Sequence, residues 1–112
     1  MPLSRTEVMY GTLDLLVLRT LEALGPQHGY AIARRIEQVS REALRLNQGT
    51  LYPALLRLEN GGWISSKWGT TENKRRARYY SITNSGRKRL HQEARNWDEM
   101  SHIINRILEG SF

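Results

Sequence analysis

Three consecutive cations, Lys74, Arg75 and Arg76, followed closely by Arg78, form the densest run of charge in the chain. Ammonium and guanidinium groups at that spacing suit phosphate oxygens, and an arginine can also enter a minor groove. A second set, Gln48, Thr50 and Tyr52, places an amide and two hydroxyls at alternate positions. Such groups can hydrogen-bond base edges or donate to a phosphate, and the tyrosine ring can touch a thymine methyl. Arg57, further along, is a candidate phosphate contact. Each of these has an everyday alternative: Tyr52 as a core aromatic, Gln48 and Thr50 as cap residues, Arg57 paired with Glu59.

The location of charge supports the first reading more than its sum does. The 112 residues carry 17 Lys and Arg against 11 Asp and Glu, a formal net charge of +6. Residues 67–89 hold eight of the basic side chains and one acid, Glu72, a net of +7. The remainder holds nine against ten, a net of −1. The excess is therefore confined to one segment, as a polyanion footprint requires and a merely solvated surface does not.

Other chemistry finds little support. His28 stands apart from His91 and His102, and on one helix the latter two would lie about 16 Å apart, too far to share a metal. The chain has no cysteine, which removes thiolate metal sites and disulfides. No phosphate-binding glycine loop or nucleophile elbow is present. We therefore expect no catalytic residue, metal or cofactor. Apolar runs such as residues 15–18 are far too short to span a bilayer, and residues 1–7 lack the apolar core of a signal peptide. The expectation is a soluble intracellular protein with no membrane partner.

The elements that must position these groups follow from periodicity. Thr12 is a plausible N-cap for a first helix, in which Leu13, Leu16, Val17, Leu21 and Leu24 recur until Gly25-Pro26. A second helix over residues 28–40 carries Tyr30, Ile32, Ala33, Ile36 and Val39 on its apolar side. A third is marked by Leu51, Leu55, Leu56 and Leu58 and stops at Asn60-Gly61-Gly62. Pro53 falls in its first turn if Thr50 is the cap, and kinks it if Asn47 is. Residues 63–68 and 77–82 read as two strands of a hairpin around a basic loop.

A last helix, capped by Thr83 or Asn84, continues to about Glu109 and would be roughly 40 Å long. Leu90, Ala94, Trp97, Met100, Ile104 and Ile107 or Leu108 follow steps of three and four along it, the spacing of a helix–helix seam. A two-fold homodimer would cover that stripe, and the alternative is that it folds back onto the first helix. The fold class is thus mainly α with a small β-hairpin, a winged helix-turn-helix with a long C-terminal dimerisation helix. Residues 1–83 form the DNA-binding domain and residues 84–112 the dimerisation helix. That order lets one helix enter a major groove while the hairpin reaches the neighbouring backbone.

Several ordered blocks carry a family resemblance: Gly11-Thr12-Leu13-Asp14-Leu15-Leu16-Val17-Leu18, His28-Gly29-Tyr30-Ala31-Ile32, Gly49-Thr50-Leu51-Tyr52-Pro53-Ala54-Leu55-Leu56-Arg57-Leu58-Glu59, and Arg78-Tyr79-Tyr80-Ser81-Ile82-Thr83 with Gly86. Together they resemble the PadR family of bacterial transcriptional regulators, in a short form with one C-terminal helix. The resemblance implies a cytoplasmic dimer that binds palindromic promoter DNA and represses until a small molecule releases it. It places Gln48, Thr50 and Tyr52 on the recognition helix and residues 74–76 in the wing. Trp97 is similar to a tryptophan that, in some short members, lines a pocket for aromatic compounds at the dimer centre. A protein-interaction adaptor and a non-specific architectural DNA binder are the competing readings.

Overall fold

The computed structural model describes residues 10–110, so the expectation that residues 1–7 carry no signal-like core lies outside it. The elements run α1 (Tyr10–Leu24), β1 (Gln27–His28), α2 (Gly29–Val39), α3 (Gln48–Asn60), β2 (Ile64–Thr70), β3 (Arg76–Ile82) and α4 (Asn84–Leu108). α1 buries Leu13, Val17, Leu18 and Leu21 along one stripe. It is already helical at Tyr10, so Thr12 lies within the helix and does not cap it. Gly25, at φ +79°, donates its N–H to the Leu21 carbonyl at 2.9 Å and closes the helix in the left-handed conformation that glycine adopts without strain.

The sheet has three strands in the order β1-β3-β2, all antiparallel, where the sequence suggested a two-stranded hairpin. The additional strand is only Gln27 and His28, opposite Tyr80 and Tyr79. Two residues are too few to show alternation, so only tertiary pairing reveals them. His28 then caps α2, its Nδ1 accepting from the Ala31 N–H at 3.2 Å.

Ile32, Ala33 and Ile36 of α2 enter the core, whereas Tyr30 and Val39, read from sequence as part of the same face, are both 68% exposed. α2 and α3 are joined by residues 40–47, a longer join than a tight helix-turn-helix turn. Within it Arg41 (φ 54°) and Glu42 (φ 64°) are both left-handed, a conformation that costs a non-glycine residue about 1–2 kcal/mol. The Glu37 carboxylate holds the far end by accepting from the Leu46 N–H at 3.1 Å.

Asn47 caps α3, accepting from the Thr50 N–H at 2.9 Å. Pro53 therefore stands beyond the first turn, and Gly49 loses the N–H donor that a residue at 53 would supply. Leu51, Leu55 and Leu58 are fully enclosed, each contributing about 1.5–3 kcal/mol. That burial, against α1 and Ile64, Tyr80 and Ile82 of the sheet, fixes α3 on the body.

Thr83 caps α4, accepting from the Gly86 N–H at 3.0 Å while its hydroxyl donates to the Gly62 carbonyl at 2.7 Å. Gly86 is pressed against the Trp63 carbonyl, where a Cβ would come within 2.1 Å of the oxygen. Leu90, one turn on, is 3% exposed and belongs to the core of its own chain, which corrects its place in the predicted seam. The helix then leaves the body. The molecule measures 58 × 29 × 21 Å, and its 15.5 Å radius of gyration exceeds the roughly 13 Å of a compact chain this long.

Candidate nucleic-acid interface

Strand register determines which side chains share a face. Ile64, Ser66 and Trp68 of β2 stand opposite Ile82, Tyr80 and Arg78 of β3, so these six project from one side of the hairpin. That side turns towards α3. Ser66 donates its hydroxyl to the Glu59 carboxylate, and Arg78 donates from Nε to Ser66 Oγ at 2.7 Å. Arg78 Nη2 also lies 3.9 Å from Glu59. The guanidinium is thus held on the face of the hairpin that turns towards α3, where the Trp68 ring centroid is 5.6 Å from it and 5.1 Å from that of Arg76, both within cation–π range.

Between this face and the start of α3 runs a cleft of about 540 Å³, lined by Tyr30, Gln48, Tyr52, Trp68, Arg76 and Arg78 among others. Four residues picked out by sequence, Gln48 and Tyr52 from the helix and Arg76 and Arg78 from the wing, therefore meet in one place. The cleft adds Tyr30 and Trp68, which sequence reasoning did not select. A signal for each was present. Tyr30 lies roughly 110° around α2 from the centre of the Gly29, Ile32, Ala33 and Ile36 track, and Trp68 alternates with Ile64 and Ser66.

The other predicted residues are placed differently. Thr50 Oγ1 donates to the Asn47 side chain at 3.1 Å and reinforces the cap. Lys74 and Arg75 are exposed at the hairpin tip, beyond the cleft. There Lys74 adopts φ 60° and donates to the Thr71 carbonyl at 2.9 Å, and the Thr71 N–H closes back on the Arg75 carbonyl at 2.8 Å. Arg57 is drawn to the opposite side of α3, donating to Asp14 of α1 at 3.0 Å. That ion pair, and not a pairing with Glu59, is what the structure gives it.

Burial raises the pKa of the Tyr80 phenol at the cleft floor, and the nearby Glu59 carboxylate raises it further. Tyr80 therefore stays neutral well into alkaline solution. The mouth of the cleft offers phenolic hydroxyls, an amide and two guanidiniums, a set suited to sugar-phosphate backbone and groove edges. Among the described residues no cluster of His, Cys, Asp or Glu could hold a metal ion.

The family model described as transcriptional regulator PadR-like matches residues 17–92, well over half of the chain. The chain belongs to the PadR-like family. Members are transcriptional regulators that bind DNA, not enzymes. The fold agrees: a transcriptional regulator from Clostridium thermocellum superposes with a TM-score of 0.78 at 35% identity, covering 86% of this chain and 92% of that one. A PadR family transcription regulator from Clostridium difficile gives 0.73 at 31% identity, covering 86% and 97%. A transcriptional regulator of Mycobacterium tuberculosis is 35% identical over 68 residues, 61% of this chain and 63% of that protein. The PadR-like chain spans 96% of one curated relative but only 26% of another.

Proposed function

We propose that this PadR-like regulator is a cytoplasmic homodimeric repressor that grips a palindromic operator and is released by a small molecule. One observation carries the dimer: beyond the body, α4 presents Trp97, Met100, Ile103, Ile104, Ile107 and Leu108 all at least 45% exposed. An apolar stripe of that length, left uncovered by the described residues, is covered most economically by its two-fold copy. In this reading residues 84–112 form the dimerisation unit, with Ala94 at its near end, and residues 1–83 read DNA.

Two-fold pairing then gives two reading heads, which matches an inverted repeat. Gln48 and Tyr52 address base edges from α3, with Thr50 holding its cap. Arg76 and Arg78 flank the backbone in the cleft, and Lys74 and Arg75 reach outward from the wing tip. Arg57 acts through Asp14, without touching phosphate. Trp97, 59% exposed, is the residue we assign to a small aromatic effector at the dimer centre. No helix among the described residues is long and apolar enough to cross a membrane.

The test combines light scattering with band shifts on the gene's own upstream region. We expect a dimer at micromolar protein and a palindrome bound far more tightly than its isolated half-site. Ile104→Glu should give monomers that bind both alike. A wild-type monomer with full palindrome affinity would refute the proposal.

A further inference from the structure

A second concave surface lies in the DNA-binding body and shares no residue with the cleft. It is a groove of about 310 Å³ between the C-terminal halves of α1 and α2, closed at one end by Leu44. Its walls are aliphatic, with Leu24, Ile36, Val39 and Leu44 prominent, and its lining includes Arg19 and Arg35 but no carboxylate-bearing residue. Arg19 is paired with Glu22 at 2.8 Å. Arg35 is exposed and has no hydrogen bond or ion pair among the described residues. An apolar trough with an uncommitted guanidinium is complementary to one chemistry: a small amphipathic anion, with its aliphatic tail against the leucines and its carboxylate on Arg35. The volume lies at the low end for ligand sites, which favours a short chain over a drug-sized molecule.

The groove also touches the join that sets α3. Ser40 and Leu44 line it, the Leu44 N–H donates to Ser40 Oγ at 3.1 Å, and Ser40 Oγ donates to the Glu37 carbonyl at 3.0 Å. Glu37 in turn holds Leu46, next to the Asn47 cap. The same segment contains the two left-handed residues Arg41 and Glu42. We infer that this groove is an effector site for a short aliphatic carboxylate, distinct from Trp97, whose occupancy shifts residues 40–47 and with them the start of α3. The effect on DNA rests on the repressor reading above, whereas binding itself does not.

The test uses the full chain and octanoate, with octanol as the uncharged control. Calorimetry should show octanoate binding at least about tenfold more tightly than octanol, the difference expected for one charge-assisted contact. Arg35→Gln should erase that preference, and Val39→Glu, at an exposed position, should block octanoate while leaving the fold intact by circular dichroism. Methyl resonances of Leu24, Val39 and Leu44 should move on titration. Equal binding of octanoate and octanol would overturn the site. So would methyl shifts that follow protein dilution in place of added octanoate, because a second copy would then occupy the groove. If octanoate binds but saturating amounts leave operator affinity unchanged, the coupling is wrong. If no operator is bound at all, the repressor reading fails while the calorimetric result stands.

Discussion

Arg57 of α3 and Arg89 of α4 share a single carboxylate. Asp14 of α1, 6% exposed, accepts from Arg57 at 3.0 Å through Oδ1, and its Oδ2 lies 3.7 Å from Arg89. Arg89 also pairs with Glu93 at 2.7 Å and lies over the Trp63 ring, 3.9 Å from its centroid. Three helices therefore meet at one negative charge.

Asp14→Ala would remove the carboxylate that Arg57 and Arg89 share, while Arg89 keeps Glu93. Loss of one partner from a fully enclosed pair costs ~3–5 kcal/mol; both guanidiniums here reach solvent, so we expect about 2–3 kcal/mol. Urea denaturation monitored by tryptophan fluorescence measures it, and a loss below about 1 kcal/mol would show that the clamp is not structural.

Gly86→Ala tests the root of α4. The new methyl would collide with the Trp63 carbonyl, a backbone atom that cannot rotate away, and with Ile82 at 2.8 Å. Overpacking of this kind costs about 1–3 kcal/mol. Unchanged thermal stability in that variant would mean that the close approach is not maintained in solution.

Salt dependence separates the two parts of the DNA surface. Replacing Lys74 and Arg75 together by alanine should lower the slope of log K against log salt by about 2 per subunit, about 4 for the dimer, and weaken operator and random DNA alike. Gln48→Ala should leave the slope unchanged and cost about 1–3 kcal/mol on the operator alone. The reverse pattern would exchange their roles.

Glu22 gives a pH signature. Burial pushes its pKa up, but hydrogen bonds and charge from His91 and Arg19 outweigh that and leave it below the usual 4.5. A carboxylate with a depressed folded pKa stabilises the fold above its unfolded pKa, and that contribution fades as pH falls through the folded value. The contribution of Glu22 to the α1–α4 contact at His91, 2.9 Å away, should therefore be lost as pH falls through its lowered folded pKa. A carbon-detected titration should place the Glu22 midpoint below that of a free glutamate, and His91→Gln should raise it. A wild-type midpoint at the ordinary value would exclude the brace.

The sequence made the helices legible because their leucines repeat at helical spacing, and it located the basic segment because charge can be counted. Arg57 was not legible: its partner lies 43 positions away, and local spacing offered Glu59 instead. Leu90 followed the same three-and-four rhythm as Trp97 and Ile104, yet periodicity alone does not say where a helix leaves its own core. Tyr30 and Leu56 illustrate the same limit, being apolar in type and exposed in place. The wing emerged correctly as two strands, but Trp68 acquired meaning only when register set it beside Arg78.

The contact between Gly86 and the Trp63 carbonyl has a mechanical consequence. α4 is 25 residues long and is rooted in the body at its first turn, so any rotation of about 5° there would sweep its far end through about 3 Å, given a rise of ~1.5 Å per residue. Viewed from a fixed α4 tip, the same rotation swings the body and its cleft. A single glycine thus sets the gearing between a small change at the helix root and the span that the molecule can reach.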